Sequence, residues 1–194
     1  QAPRMGFPGA VAGRLRPAKT WRPIEQATIS YGHGVSVTLV QLARAYTVFA
    51  NDGQLAPLSL IKLDSTPPMV QVLSPQTARA MRKMLEMGVS DEGTAPLARI
   101  AGYRVAGKTG TAYKIKNRQY VNDHVASFVG FAPVSDPRIV IAVMVDEPTG
   151  AYYGGQVAAP VFAQIAGATL RTLQVAPDGP LETPKALLAL RQAP

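Results

Sequence analysis

The sequence predicts an α+β fold: a mainly antiparallel sheet with helices on both faces. Three observations predict it. Strand-like segments follow one another at 104–113, 125–131 and 138–146, joined by a polar hairpin-like piece and a short turn. The third of them, "RIVIAVMVD", is apolar at nearly every position, so both its faces need cover. Stretches with helical spacing lie before and after these strands. The order helix, strand, helix, three strands, helix suggests packed layers around one core.

The elements follow in order. Residues 1–30 are rich in Gly, Pro and Arg without a sustained period and read as loop. From Ser36 to Asn51, Leu39, Leu42, Ala43, Tyr46 and Ala50 fall at helical spacing, with Ser36 or Thr38 as the cap. Asn51-Asp52-Gly53 stops that helix with residues that tolerate positive φ. "PLSLIKL" (57–63) reads as a short strand. Ser74-Pro75 starts a second helix, with Ser as N-cap and Pro in the first turn. Ala78, Met81 and Leu85 give it an apolar stripe, and 88–96 is loop.

The three strands come next. "KIKNRQYVND" (114–123) is polar and reads as a hairpin loop, and "APVSDP" as a turn. A last helix begins near Ala158, with Phe162, Ile165, Ala166, Leu170 and Leu173 on its core face. Residues 176–194 form a Pro-rich tail with a short helix at 184–191, so the body is 1–175.

At 194 residues the chain suits one domain and can bury a core. Apolar residues make up 47% and charged residues 16%, a globular balance. The net charge of +8 is spread along the chain with no basic–aromatic face, so no nucleic-acid partner is expected. There is no cysteine, which excludes disulfides, thiolate metal sites and a cysteine nucleophile. No grouping of His, Asp and Glu has metal-ligand spacing, and no cofactor is expected. No apolar run reaches the roughly 18 residues of a membrane span. The first residue is Gln, so a fragment or processed product is expected, with any membrane anchor upstream.

One stretch concentrates chemistry. "VAGKTGTAYK" (105–114) sets Lys108 between glycines with Thr109 and Thr111 behind it. Glycine weakens a strand and often marks close approach of another backbone. Alternation puts Val105, Gly107, Thr109 and Thr111 on one face, and Lys108, Gly110 and Ala112 on the other. A twist or bulge at the glycines would bring Lys108 to the cleft rim. Two hydroxyls and an ammonium suit a carboxylate. Gly110 would let a ligand backbone lie against the edge, as in β-augmentation.

The stretch "VAGKTGTA" resembles the Lys-Thr-Gly motif of penicillin-binding proteins. Collinear segments agree: "GFPGAVAG" (6–13), "WRPIEQATISYGHGVSVTLVQLARAYTVFANDG" (21–53), "HVASFVGFAPVSDPRIVIAVMVDEP" (124–148) and "YYGGQVAAPVF" (152–162). Together they cover most of 6–175. The chain is similar above all to class B, division-specific (septal) peptidoglycan D,D-transpeptidases of Gram-negative bacteria.

The resemblance implies a serine acyl-transferase that cross-links stem peptides ending in D-Ala-D-Ala and is acylated by β-lactams. It implies a place at the periplasmic face of the inner membrane, among membrane proteins of the division complex. By resemblance Lys108 sits in the site's hydrogen-bond network, and Thr109 and Thr111 hold the terminal carboxylate. The Thr111 N–H is an oxyanion donor. Tyr152 and Tyr153 form an aromatic wall. Where the family carries Lys or Arg after the motif, this chain has Tyr113.

The nucleophile should open a helix as Ser-x-x-Lys, with the lysine one turn on as base. The single match, Ser59-Leu60-Ile61-Lys62, lies in an expected strand and too late in the order, so it is rejected. Tyr120-Val121-Asn122 is rejected as the Ser-x-Asn motif, because it follows the Lys-Thr-Gly strand. The chain therefore reads as the C-terminal part of a transpeptidase domain, incomplete at its N-terminus. A non-catalytic substrate-binding or scaffold module of the division machinery is the alternative. His33 and His124 read as structural, and Asp146-Glu147 as a turn.

Overall fold

The computed structural model describes residues 7–65 and 67–181. The expected helix at 184–191 lies outside them. At the centre is a three-stranded antiparallel sheet of β3 (Ala106–Lys116), β4 (Gln119–Ala132) and β5 (Ile139–Asp146), in the order β3-β4-β5. Among the described residues both β3 and β5 are therefore edges.

The helices cover the two faces as expected. On one side, α5 (Ala159–Thr172) lays Phe162, Ala166 and Leu170 over Phe128 of β4 and the row Ile139, Ile141, Val143 and Val145 of β5. The rings of Phe128 and Phe162 meet edge-on at 4.8 Å. On the other side, α2 (Leu39–Ala50) and α3 (Pro75–Met87) bring Tyr46, Phe49 and Leu85 onto Ala106, Phe131 and Val140. The two rows of β5 thus separate by alternation, which explains its unbroken apolar run. Among the described residues β5 pairs on one side only, and its residues are half-buried apart from the exposed Met144 and Asp146. Ile165 of α5 and Leu173 just beyond its end, expected in the core, are exposed.

Local signals fixed the helix ends. The Thr38 hydroxyl accepts from the Gln41 N–H and the Gln41 side chain accepts from the Thr38 N–H, a capping box. Ser74 caps α3 through the Thr77 N–H, with Pro75 in the first turn. After α2 the chain turns through Asp52 (φ 47°) and Gly53 (φ 90°). Asp52 then accepts from Arg79 and Arg82, tying α3 to the end of α2.

Three expectations are corrected. The loop at 1–30 contains α1 (Pro23–Ile29), opened by Pro23 and by the Arg22 N–H donating to Glu25 at 2.8 Å. It buries no residue, so it leaves no apolar period to read. The strand at 57–63 does not form. The Ser59 hydroxyl donates to the Ile61 carbonyl at 2.6 Å and accepts from the Ile61 N–H at 3.2 Å, which bends the chain. Instead β1 (Gln54–Leu55) pairs with β2 (Val70–Gln71).

The third correction is the hairpin. β3 and β4 run on through the expected loop at 114–123 to a two-residue turn at Asn117 and Arg118, both at positive φ (53° and 63°). Such a turn matches the twist of a hairpin. Ile115 faces Tyr120 across the strands, after one register shift between Tyr113 and Ile115. The extension is polar because it stands in solvent, not because it lacks pairing. A short helix, α4 (Gly154–Val157), precedes α5.

Candidate active site

The stretch 106–113 is a regular edge strand. Its register with β4 is unbroken from Ala106 to Tyr113, so no bulge turns Lys108 round. The long side chain curls over the free edge by itself. Its ammonium donates to the Thr109 carbonyl at 3.0 Å and to the Thr109 hydroxyl at 3.3 Å. That carbonyl therefore faces the unpaired edge. By the alternation of an antiparallel strand, so do the N–H and C=O of Thr111 and Tyr113.

The two threonines are held from behind, on the face that carries α4. The Thr109 hydroxyl lies 3.1 Å from the hydroxyl of Thr94, in the loop after α3. The Thr111 hydroxyl accepts from the Gly154 N–H at 3.1 Å. A hydroxyl that accepts there keeps its own proton to donate elsewhere. Close packing makes this possible. A Cβ on Gly154 would stand 2.2 Å from the Ser127 carbonyl oxygen and 2.7 Å from that of Gly110. Gly110 itself is filled from within the sheet: a Cβ there would lie 2.5 Å from the Ser127 hydroxyl. A side chain at this position would require the Ser127 hydroxyl to turn away.

Beyond the motif an aromatic stack continues the surface. Tyr113, His124, Tyr152 and Tyr153 follow one another with ring centroids 4.5, 4.2 and 4.5 Å apart. His124 is buried between Tyr113 and Tyr152. Tyr152 donates to the Tyr153 hydroxyl at 3.3 Å, and this hydrogen bond raises the pKa of Tyr152. Asp146 and Glu147 do not form an acid/base pair. Lys114 bridges both, while Lys116 reaches Asp123 and Glu147. These ammonium groups pull the Glu147 carboxyl down to about 2. The network fastens the hairpin extension to the loop that carries the tyrosines.

In front of Thr111–Ile115 opens a cavity of about 1180 Å³. The hairpin forms one wall, including Tyr120 and Asn122, and the 31–36 loop with His33 forms the other. Ser59 lines no part of it, and its hydroxyl is occupied by Ile61. Sequence reasoning placed Lys108, Thr109, Gly110, Thr111, Tyr152 and Tyr153, and they do assemble. It missed Thr94, Ser127 and the Gly154 N–H, which act through contacts distant in sequence. It also missed the central place of His124. What the assembly offers is an ammonium, hydroxyls and outward N–H groups along one open edge, a set that suits an extended peptide ending in a carboxylate.

The family model described as the penicillin binding protein transpeptidase domain matches residues 1–167. The chain is 47% identical over 178 residues to the probable peptidoglycan D,D-transpeptidase PenA of Neisseria gonorrhoeae, covering 91% of this chain and 31% of that protein. It is 39% identical over 180 residues to the peptidoglycan D,D-transpeptidase FtsI of Escherichia coli K12, covering 92% of this chain and 31% of that protein. Among solved structures, the apo transpeptidase domain of Burkholderia pseudomallei penicillin-binding protein 3 superposes with a TM-score of 0.86 at 58% identity, over 92% of this chain and 55% of that one. The chain thus spans about a third of the length of these two curated relatives.

Proposed function

Since this chain belongs to the penicillin-binding protein transpeptidase family, we propose that it is the substrate-docking part of a class B, septal peptidoglycan D,D-transpeptidase. The serine nucleophile lies outside these 194 residues. The observation that carries the reading is the unpaired β3 edge, with Lys108 folded onto Thr109 and Thr111 supported by Gly154. No helix in the described residues opens with Ser-x-x-Lys, and the one such tetrad is bent at Ser59.

In this reading the stem peptide pairs with β3 and places its terminal carboxylate on the hydroxyls of Thr109 and Thr111, near the Lys108 ammonium. The serine oxygen attacks the carbonyl between the two D-Ala residues. The Thr111 N–H, together with the serine's own N–H, stabilises the oxyanion. The C–N bond breaks, and the terminal D-Ala leaves as an amine after taking a proton. An amine on a neighbouring strand then attacks the ester, forms the cross-link and returns the serine. β-Lactams enter the same way, and their ring nitrogen stays tethered. Tyr152 and Tyr153 wall the cleft. The protein works at the periplasmic face of the inner membrane with the division machinery.

Labelled penicillin tests this. The complete protein should form a covalent adduct and the isolated 194-residue chain should form none. An adduct on the isolated chain, or none on the complete protein, overturns the reading.

A further inference from the structure

The direction of one hydrogen bond behind β3 decides what the Thr109 hydroxyl offers to a ligand. A threonine hydroxyl donates once and accepts twice. An ammonium only donates, so Lys108 Nζ, 3.3 Å away, fills one acceptor position of Thr109 Oγ1. Thr94 Oγ1 stands 3.1 Å from the same oxygen, and either hydroxyl is able to donate to the other. If Thr109 donates, its proton points back into the protein. If Thr94 donates, the Thr109 proton is free to point outward.

The backbone of Thr94 is held in place without any ligand. The 88–95 loop closes on itself: the Gly93 N–H donates to the Ser90 carbonyl at 3.0 Å, and the Ala95 N–H to the Gly88 carbonyl at 3.0 Å. Ala95 is fully buried, and Asp91 pairs with Arg99. From the other side α4 presses on the loop. A Cβ on Gly155 would stand 2.1 Å from the Thr94 carbonyl oxygen. Among the described residues the Thr94 hydroxyl has no hydrogen-bond partner but Thr109.

The next step rests on the docking reading above. A carboxylate only accepts. When it reaches Thr109, the Thr109 proton turns to it, and Thr94 becomes the donor behind. The Thr109 oxygen then accepts from Lys108 and from Thr94 and donates forward, so all its positions are used. Thr111 is built the same way: the Gly154 N–H fills an acceptor position from behind at 3.1 Å. Hydrogen bonds in such a chain strengthen one another.

We propose that Thr94 is a positioning residue of this site: by donating to the Thr109 hydroxyl it aims the Thr109 proton at the bound carboxylate. It acts through Thr109 and makes no contact of its own with the ligand.

Acylation of the complete protein by penicillin tests this, read as the maximal rate and the concentration that gives half of it. Thr94→Val should raise the half-saturating concentration about five- to tenfold, the scale of one hydrogen bond, and leave the maximal rate unchanged. Thr94→Ser keeps the hydroxyl and should behave as the wild type. Thr109→Val should show a larger loss, and adding Thr94→Val to it should cost nothing more, because the partner is gone. Thr94→Ala carries the same expectations if the valine variant does not fold. Wild-type behaviour of Thr94→Val overturns the proposal, as does a loss confined to the maximal rate. So does a Thr94→Ser as poor as Thr94→Val, or full additivity with Thr109→Val, which would mean that Thr94 meets the ligand directly. These results leave the docking reading standing as long as Thr109→Val is impaired. An unimpaired Thr109→Val, or a wild type that is not acylated, overturns the docking reading and this proposal with it.

Discussion

Replacing Gly154 by alanine tests whether α4 is seated on the sheet as the clamp for Thr111. The new Cβ would stand 2.2 Å from the Ser127 carbonyl oxygen and 2.7 Å from that of Gly110. Both oxygens belong to hydrogen-bonded strands, so neither swings away as a flexible side chain would. Reaching ordinary contact requires α4 to rise by about 1 Å, since packed interiors tolerate little overlap. The 3.1 Å bond from the Gly154 N–H to the Thr111 hydroxyl then passes out of range. Overpacking costs about 1–3 kcal/mol, and the lost bond adds about 1 kcal/mol. Gly154→Ala should therefore lower stability by about 2–4 kcal/mol in urea unfolding. Thr111→Val removes the same bond from the other side. The double variant should then lose about 1 kcal/mol less than the two single losses together. A cost for Gly154→Ala below about 0.5 kcal/mol, or strict additivity with Thr111→Val, would refute the clamp.

Other outcomes follow from the same geometry. Glu147 has its folded value lowered from 4.5 to about 2, first by Lys114 and then by Lys116. Its ion pairs therefore support the fold above about pH 4.5 and are lost as pH falls toward 2. Amide protection factors in the 115–120 hairpin end should drop across that window, and Glu147→Gln should abolish the step; a step that survives the substitution rules out this carboxylate. Phe162 is fully buried against Phe128, so Phe162→Ala should cost about 3–5 kcal/mol in the same unfolding assay, and a loss under 1.5 would mean the site collapses without a cavity. The Asp178 carboxylate accepts from the Arg104 and Ser135 N–H groups at 2.7 and 3.0 Å. The Asp178 and Gly179 N–H groups also donate to the Gly102 carbonyl, and the Gly102 N–H to the Pro180 carbonyl. Asp178→Ala should free the tail to limited proteolysis near residue 176; an unchanged digestion pattern would show that these backbone bonds suffice.

Much of the fold was legible because local signals agreed with the global arrangement. Thr38 and Ser74 capped helices where the apolar period began, and Asp52-Gly53 ended one. The alternating cover of β5 was legible in its unbroken apolar run. Segments that bury little were read wrongly. α1 has no apolar stripe, and "PLSLIKL" has strand composition but a serine that bonds its own backbone. The hairpin beyond Tyr113 was hidden for a related reason: two exposed faces give a polar sequence, and polarity was read as loop. At the site, the motif marked Lys108, Thr109 and Thr111. What holds them does not lie near them in sequence. Thr94 and Gly154 reach β3 from 15 and 43 residues away. Gly110 was legible as a glycine that something approaches, but its neighbour in the fold is Ser127.

With β3 as the docking edge, amide hydrogen exchange of the complete protein reads that edge directly. When penicillin acylates the protein, exchange should slow at the outward N–H groups of Thr111 and Tyr113, while β5 amides at 139–146 stay as they were. Acylation that leaves the β3 edge exchanging at its free rate would contradict the claim that this strand receives the ligand.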